Sequence, residues 1–428
     1  YHTRKDLSLS TKPRAAVPRE GGFQRVFGVV LDGMGHEHAR RALETGRFPS
    51  LSRLEHEGYL GPSRPSSPVC QTPPALLALF TGAEPRQAGV WGFRMPDPAR
   101  PGRSVSGFHV PPRLGRTIWS TLEEAGIRYS LMNVAFRNDP VWSADQAALD
   151  LGWDAYRLWS RPLSFRLRGE RQEHEYRGIG FRVARDARGV AIRKGSAVRA
   201  RLAPGAGAAV ELTRGCRVFA QLVDPSLLVF SPLITAMVRG AAAADAQQHD
   251  ALAGALDSDA FRLCRRLNRD RDPGHLVPLE AEMLLARLGM EQKARVMERA
   301  CAVPGTRLVV GYFPLVDEFS HSYIDRLDSE WPHGRAAEVF LACMGLVDSM
   351  LGRLMETAGP GTLLVVSSDH GAMPHRSMLH LNERFVEAGL VRRAAAGYDL
   401  ARSAAYYHPS GCGQVLLNSQ ASARAGRS

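Results

Sequence analysis

The chain has 428 residues, 44% of them hydrophobic and 23% charged, which allows a large buried core and excludes a disordered or fibrous protein. Lys plus Arg number 55 against 43 Asp plus Glu, and the formal net charge of +12 favours anionic partners such as phosphate esters. The six cysteines, at 70, 216, 264, 301, 343 and 412, form no C-x-x-C pair or disulfide framework, and no apolar run reaches the ~20 residues that span a bilayer. The expectation is a cytoplasmic protein with no membrane association, its cysteines mostly small buried hydrophobes.

After a basic, proline-containing arm over 1–22 that lacks the apolar core of a signal peptide, "VFGVVL" (Val26 to Leu31) reads as a buried strand that ends in Asp32-Gly33. Short continuous apolar runs of this kind are typical of parallel sheets. "FPSLSRLEHEG" (Phe48 to Gly58) carries a Pro-Ser start and a Gly stop around a helix. In "CQTPPALLALFTG" (Cys70 to Gly82), Thr72 precedes two prolines and an apolar run, so it resembles a helix N-cap with prolines in the first turn. "RTIWSTLEEAGIRYSLMNVAF" (Arg116 to Phe136) reads as helix, glycine, strand. The alternation predicts an α/β fold: three layers, α/β/α, around a mostly parallel sheet.

From about 154 the texture changes to Arg-rich segments and a predicted hairpin, "GFRVARDARGVAIRKG" (Gly180 to Gly195), with further strands in "GAAVELTRGCRVFAQLV" and a polar helical region over about 241–300. The α/β texture resumes at "RLVVGYFPLV" (Arg307 to Val316). The α/β domain is therefore expected over 23–153 and 296–428, with 154–295 an inserted α+β cap. Phe340, Met344, Val347, Leu351 and Leu354 step by four, three, four and three, an amphipathic helix stopped by "AGPG".

Three apolar strand runs each lead to an aspartate: Asp32, Asp317 and Asp369. In an open α/β sheet, ligands bind beyond the carboxyl ends of the strands. Two of these aspartates have histidine company, as Asp317-x-x-x-His321 and Asp369-His370. Carboxylate and imidazole together suit Zn²⁺ better than Ca²⁺ or Mg²⁺. A lone strand-terminal Asp is usually a turn former; three of them, two with His partners, point to a binuclear site. Near such ligands the Thr72 hydroxyl, at a helix start whose dipole favours anions, is a candidate nucleophile.

Asp32-Gly-Met, "FPSLSRLEHEG", "TPPALLALFTGAEPRQAGVWGF", Asp317-x-x-x-His321 and "SSDHG" occur in the order found in the alkaline phosphatase superfamily. The chain most resembles its type I phosphodiesterase/nucleotide pyrophosphatase branch, in the form of predicted bacterial phosphohydrolases. The resemblance covers roughly 24–140 and 300–415 and implies two divalent metal ions, most simply Zn²⁺. One would be held by Asp32, Thr72, Asp369 and His370. The other would be held by Asp317, His321 and a further histidine, for which His408 in "YYHPSGCG" is the candidate and His375 and His380 are rivals. Thr72 would attack phosphorus, giving a phospho-threonine intermediate that is then hydrolysed.

The sequence departs from that branch at "AGVWGF", where Ala88 replaces a His and Phe93 stands at the position of an Asn that donates to the phosphoryl group. Loss of such a donor costs about 3 kcal/mol of transition-state stabilisation unless replaced, and Arg94 is the neighbouring candidate replacement. A sulfatase reading fails: Cys70 is followed by Gln71 and Thr72, with Pro74 where C/S-x-P-x-R requires arginine, and Cys70 is left as a packing residue. The expected activity is hydrolysis of a small anionic phosphodiester or pyrophosphate. The alternatives are a phosphomonoesterase, a soluble phosphoryl or nucleotidyl transferase, and a non-catalytic anion-binding member. The basic insertion (Arg161, Arg166, Arg168, Arg171) lacks the aromatic interleaving of a nucleic-acid platform and is read instead as a cap that selects the leaving group.

Overall fold

The apolar run before Asp32 forms strand β1 (Arg25–Leu31), an inner strand of the central sheet in a computed structural model of the chain. The structure describes residues 22–65, 70–96, 104–109, 116–136, 145–152, 156–158, 163–176, 179–213, 216–230, 234–236, 279–375, 377, 379–399, 401–407 and 415–418. The other sheet strands are β2 (Tyr129–Val134), β3 (Ala147–Gly152), β4 (Leu308–Phe313) and β5 (Thr362–Ser367). Their spatial order is β5-β1-β4-β2-β3, and every neighbouring pair is parallel. Strand β1 is thus flanked by two strands that arrive some 280 residues later or more, in the register Leu31↔Phe313 and Val30↔Ser367. This adjacency brings the ends of three apolar runs to one sheet edge.

Side chains alternate across the sheet with the period of two that strands impose. Phe27, Val29 and Leu31 of β1 and Val309 and Phe313 of β4 enter one buried cluster; Val30, Val310 and Tyr312 enter a second one on the opposite face. The second face is covered by helices α3 (Thr72–Thr81), through Leu76, Leu77 and Phe80, and α4 (Ile118–Glu124), through Trp119. The first is covered by α1 (His36–Glu44), α2 (Pro49–Glu57), α5 (Leu279–Ala302), α6 (Leu315–Glu330) and α7 (Arg335–Ala358). The three-layer α/β/α arrangement read from the sequence is the observed one.

In α5 the buried Met283, Ala286, Met290, Ala294, Met297 and Cys301 recur at the three- and four-residue steps of one helix face. A Cβ on Gly311 of β4 would lie 2.3 Å from the Met297 sulfur, so the glycine makes room for that methionine side chain against the sheet. The helix crosses position 295 and belongs to the first core cluster along its described length.

Before it, the β-rich region holds two four-stranded antiparallel sheets closed around Phe181, Val183, Ile192, Leu222 and Phe230. The predicted hairpin is present as Ile179–Asp186 paired with Gly189–Lys194. Arg166, Arg168 and Arg171 are exposed there, and Arg161 lies outside the described residues. Among the described residues no helix is long and apolar enough to cross a membrane.

Candidate active site

Asp32 follows β1 directly and Asp369 follows β5 by one residue. Both carboxylates are almost fully buried, at 3% and 4% exposure. Asp32 Oδ2 accepts a hydrogen bond from the Tyr312 hydroxyl, itself buried on β4. Asp369 Oδ1 accepts from the backbone N–H groups of His370, at 2.9 Å, and Gly33, at 3.3 Å. The remaining oxygens, Asp32 Oδ1 and Asp369 Oδ2, are buried with no hydrogen-bond donor, a costly arrangement for carboxylates unless a cation serves them.

His370 supplies the third atom of the group. Its Nδ1 lies 3.0 Å from the Gly371 carbonyl, which can only accept, so Nδ1 is a donor there and Nε2 is the ring atom turned to the site. Nε2 stands 3.3 Å from Asp32 Oδ1 and 3.5 Å from Asp369 Oδ2, facing the two oxygens that lack donors. Ligand atoms of Asp32, Asp369 and His370 all lie within 4.8 Å of one another. Two carboxylate oxygens and one imidazole nitrogen form a donor set that fits a divalent ion of the zinc type.

The Thr72 hydroxyl joins the group 3.0 Å from His370 Nε2. The cap position of α3 is taken by Gln71, in extended geometry and without a side-chain cap bond, and Thr72 is the first helical residue. Its hydroxyl is therefore not spent on capping. Pro73 and Pro74 supply the fixed φ of the first turn and need no acceptor for an N–H. Thr72 is buried, at 4% exposure, with Oγ directed at the imidazole.

The second pair sits one strand over. The run "LVVGYFPLVD" is not a strand up to its aspartate: β4 ends at Phe313, Pro314 takes the N-cap, and Asp317 lies in the first turn of α6. From there Asp317 Oδ2 approaches His321 Nε2 at 3.3 Å across one helical turn, with the His321 side chain 67% exposed. Gly33 couples the two halves. Its φ is +69°, and a Cβ there would lie 2.7 Å from the Asp317 Cα, so the loop after Asp32 packs directly on the Asp317 backbone. Asp317 and His321 do not fall within the 4.8 Å group.

Burial is the largest influence on these carboxyls. It pushes the Asp32 carboxyl well above the usual range, with the charges of Asp369 and Asp317 adding to the rise. Burial likewise raises Asp369, opposed by His370. The Tyr312 hydroxyl is raised by burial and by Asp32, so it stays a proton donor to that carboxylate.

The other residues singled out in the sequence are placed as follows. His408 lies outside the described residues. His375 and His380 are exposed, and His380 occupies the N-cap of α8 (Leu381–Glu387). Phe93 is exposed, its ring edge-on to Phe108, and its backbone N–H donates to the Gln71 side chain at 3.3 Å. The loop carrying Phe93 is thus tied to the residue that precedes Thr72. Arg94 is exposed and donates to Ser104 at 3.0 Å across the hairpin formed by Arg94–Pro96 and Ser104–Ser106. Ala88 is buried in the second core cluster. Cys70 is exposed, which corrects its reading as a packing residue; Cys301 and Cys343 are buried.

Tyr312 was not among the residues that sequence reasoning singled out. A tyrosine inside an otherwise apolar buried strand needs a partner for its hydroxyl, and that need is the signal that marks it.

The α/β/α sandwich thus sets a candidate metal-holding group, Asp32, Asp369 and His370, beside a buried threonine. The type I phosphodiesterase / nucleotide pyrophosphatase family model matches residues 26–424, and the chain belongs to that family, within the alkaline phosphatase superfamily. The family indicates hydrolysis of small phosphate esters. No curated protein and no solved structure matches the chain.

Proposed function

We infer that the protein is a two-metal phosphodiesterase or pyrophosphatase that uses Thr72 as its nucleophile. The observation that carries this reading is the pair of buried carboxylate oxygens without donors, Asp32 Oδ1 and Asp369 Oδ2, turned toward His370 Nε2 beside Thr72. Asp32, Thr72, Asp369 and His370 would hold one ion; Asp317, His321 and His408 would hold the other. Divalent ions, most simply Zn²⁺, would supply Lewis-acid charge for the attacking and leaving oxygens.

The protein's own groups account for the rest. Thr72 Oγ releases its proton to solvent as it attacks phosphorus in line, the bond from phosphorus to the leaving-group oxygen breaks on the opposite side and that oxygen takes up a proton, and a water molecule then cleaves the phospho-threonine bond, releasing the phosphate product and restoring the Thr72 hydroxyl. Tyr312 holds Asp32 by one oxygen so that the other stays directed at the site. The Gln71 side chain positions the Phe93 loop at the helix start, where Arg94 is the candidate phosphate donor. The β-rich segment before α5 is read as the cap that selects the leaving group.

Turnover of bis-p-nitrophenyl phosphate and p-nitrophenyl phosphate, before and after chelation and zinc replacement, tests the reading. A faster diester reaction that disappears on chelation and returns with zinc supports it. Activity unaffected by exhaustive chelation contradicts it.

A further inference from the structure

A phosphoryl group in transfer gathers charge on its non-bridging oxygens, and a single donor fixed beside such charge typically contributes about 100-fold or more in rate. The start of α3 is short of backbone donors for this purpose. Of the N–H groups that a helix start leaves without partners, those of the second and third helical residues do not exist, because Pro73 and Pro74 stand there. The next, that of Ala75, is spent on the Gln71 carbonyl at 3.1 Å. The main chain therefore offers a phosphoryl group at Thr72 little beyond the N–H groups of Gln71 and Thr72.

The neighbouring side chains narrow the choice of a further donor. The Tyr312 hydroxyl is given to Asp32, and His370 Nδ1 to the Gly371 carbonyl. Phe93 has no side-chain donor, and Arg94 is exposed and donates to Ser104 at 3.0 Å across its hairpin. Gln71 directly precedes Thr72, is half-buried, and makes no side-chain cap bond to α3. Its Oε1 instead accepts the Phe93 N–H at 3.3 Å. That bond settles which end of the carboxamide is which: the oxygen faces the Phe93 loop, and Nε2, which can only donate, lies on the other side. We propose that Gln71 Nε2 donates a hydrogen bond to a non-bridging oxygen of the phosphoryl group that Thr72 attacks. One carboxamide then holds the Phe93 loop through its oxygen and the substrate through its nitrogen. The role deepens, and rests on, the phosphoesterase reading of Asp32, Thr72, Asp369 and His370.

The test is turnover of bis-p-nitrophenyl phosphate by the zinc-loaded full chain, as wild type, Gln71→Glu and Gln71→Met. Glutamate keeps an oxygen for the Phe93 N–H and lacks the donor; methionine lacks both and adds no charge. Each variant should lose about 100-fold or more, with the loss in kcat rather than KM, and Gln71→Glu should be no faster than Gln71→Met. The rates of the Rp and Sp forms of methyl p-nitrophenyl phosphorothioate read the contact itself. Sulfur accepts hydrogen bonds poorly, so removing the donor should change the Rp/Sp ratio by about tenfold or more, whereas a residue that only ties the loop leaves that ratio unchanged. Wild-type kcat in either variant, a Gln71→Glu clearly faster than Gln71→Met, or an unchanged Rp/Sp ratio would each overturn the role. The nearly isosteric Gln71→Glu carries the comparison if Gln71→Met does not fold. Wild-type turnover that both Gln71 variants retain removes only the Gln71 role, and absence of wild-type turnover removes the hydrolase reading and this role with it.

Discussion

The Tyr312 hydroxyl donates to Asp32 Oδ2 in the buried interior, and the other oxygen of that carboxylate is left without a donor beside His370 Nε2. One hydrogen bond thus decides which oxygen faces the site. Outer partners of this kind typically change metal affinity by about 10–100-fold when removed. Tyr312→Phe should therefore bind zinc at least about tenfold more weakly and keep its fold by circular dichroism. Unchanged zinc affinity in Tyr312→Phe would remove the positioning role.

The raised Asp32 carboxyl makes a prediction about the metal-free protein. A carboxyl raised in the folded state costs nothing at pH values below its unfolded pKa, where both states are protonated. As pH rises past that value the unfolded chain releases its proton first, so stability falls until the folded carboxyl also ionises. Metal-free Asp32→Asn should lose this slope and melt about 2 °C or more above wild type at neutral pH, while failing to bind zinc. A lower melting temperature for metal-free Asp32→Asn would show that the carboxylate is stabilising and the electrostatic reading wrong.

Gly33 is the steric link between the two candidate metal positions. Its positive φ costs an alanine about 1 kcal/mol or more, and the new Cβ would press on the Asp317 Cα at 2.7 Å. Gly33→Ala should lower both the melting temperature and turnover, by displacing α6 relative to Asp32. Wild-type turnover in Gly33→Ala would show that the spacing between Asp32 and Asp317 is not critical.

The exposed His321 separates function from stability. The His321 side chain is 67% exposed, so its truncation removes little buried surface and His321→Ala should melt within a few degrees of wild type. As a proposed metal ligand, its loss should nevertheless lower turnover of bis-p-nitrophenyl phosphate by about 100-fold or more. Retained turnover in His321→Ala would confine the chemistry to the group around Asp32.

How much of this was legible in the sequence follows the length scale of each feature. Apolar runs and helical steps gave β1, β2, β5 and α7 because periodicity is local, and Asp317 and His321 fell on one helix face because four-residue spacing implies it. The placement of β1 between β4 and β5 was not legible, since strand order is a long-range property, and that placement brings the aspartates together. The end of β4 was misread past Phe313 because "FPLVD" continues the apolar pattern; Pro314 is what stops the strand. The same limit hid the Tyr312 bond to Asp32, the tie between Gln71 and Phe93, and the exposure of Cys70. Each depends on neighbours far away in the chain.

The most direct measurement of the central claim is zinc content by elemental analysis together with diester turnover, for wild type, Asp369→Asn and Thr72→Ala prepared in parallel. The account predicts about two zinc ions per wild-type chain, fewer in Asp369→Asn, and turnover of bis-p-nitrophenyl phosphate abolished in a folded Thr72→Ala. Zinc-free wild type that still hydrolyses the diester, or a Thr72→Ala variant with wild-type turnover, would contradict it.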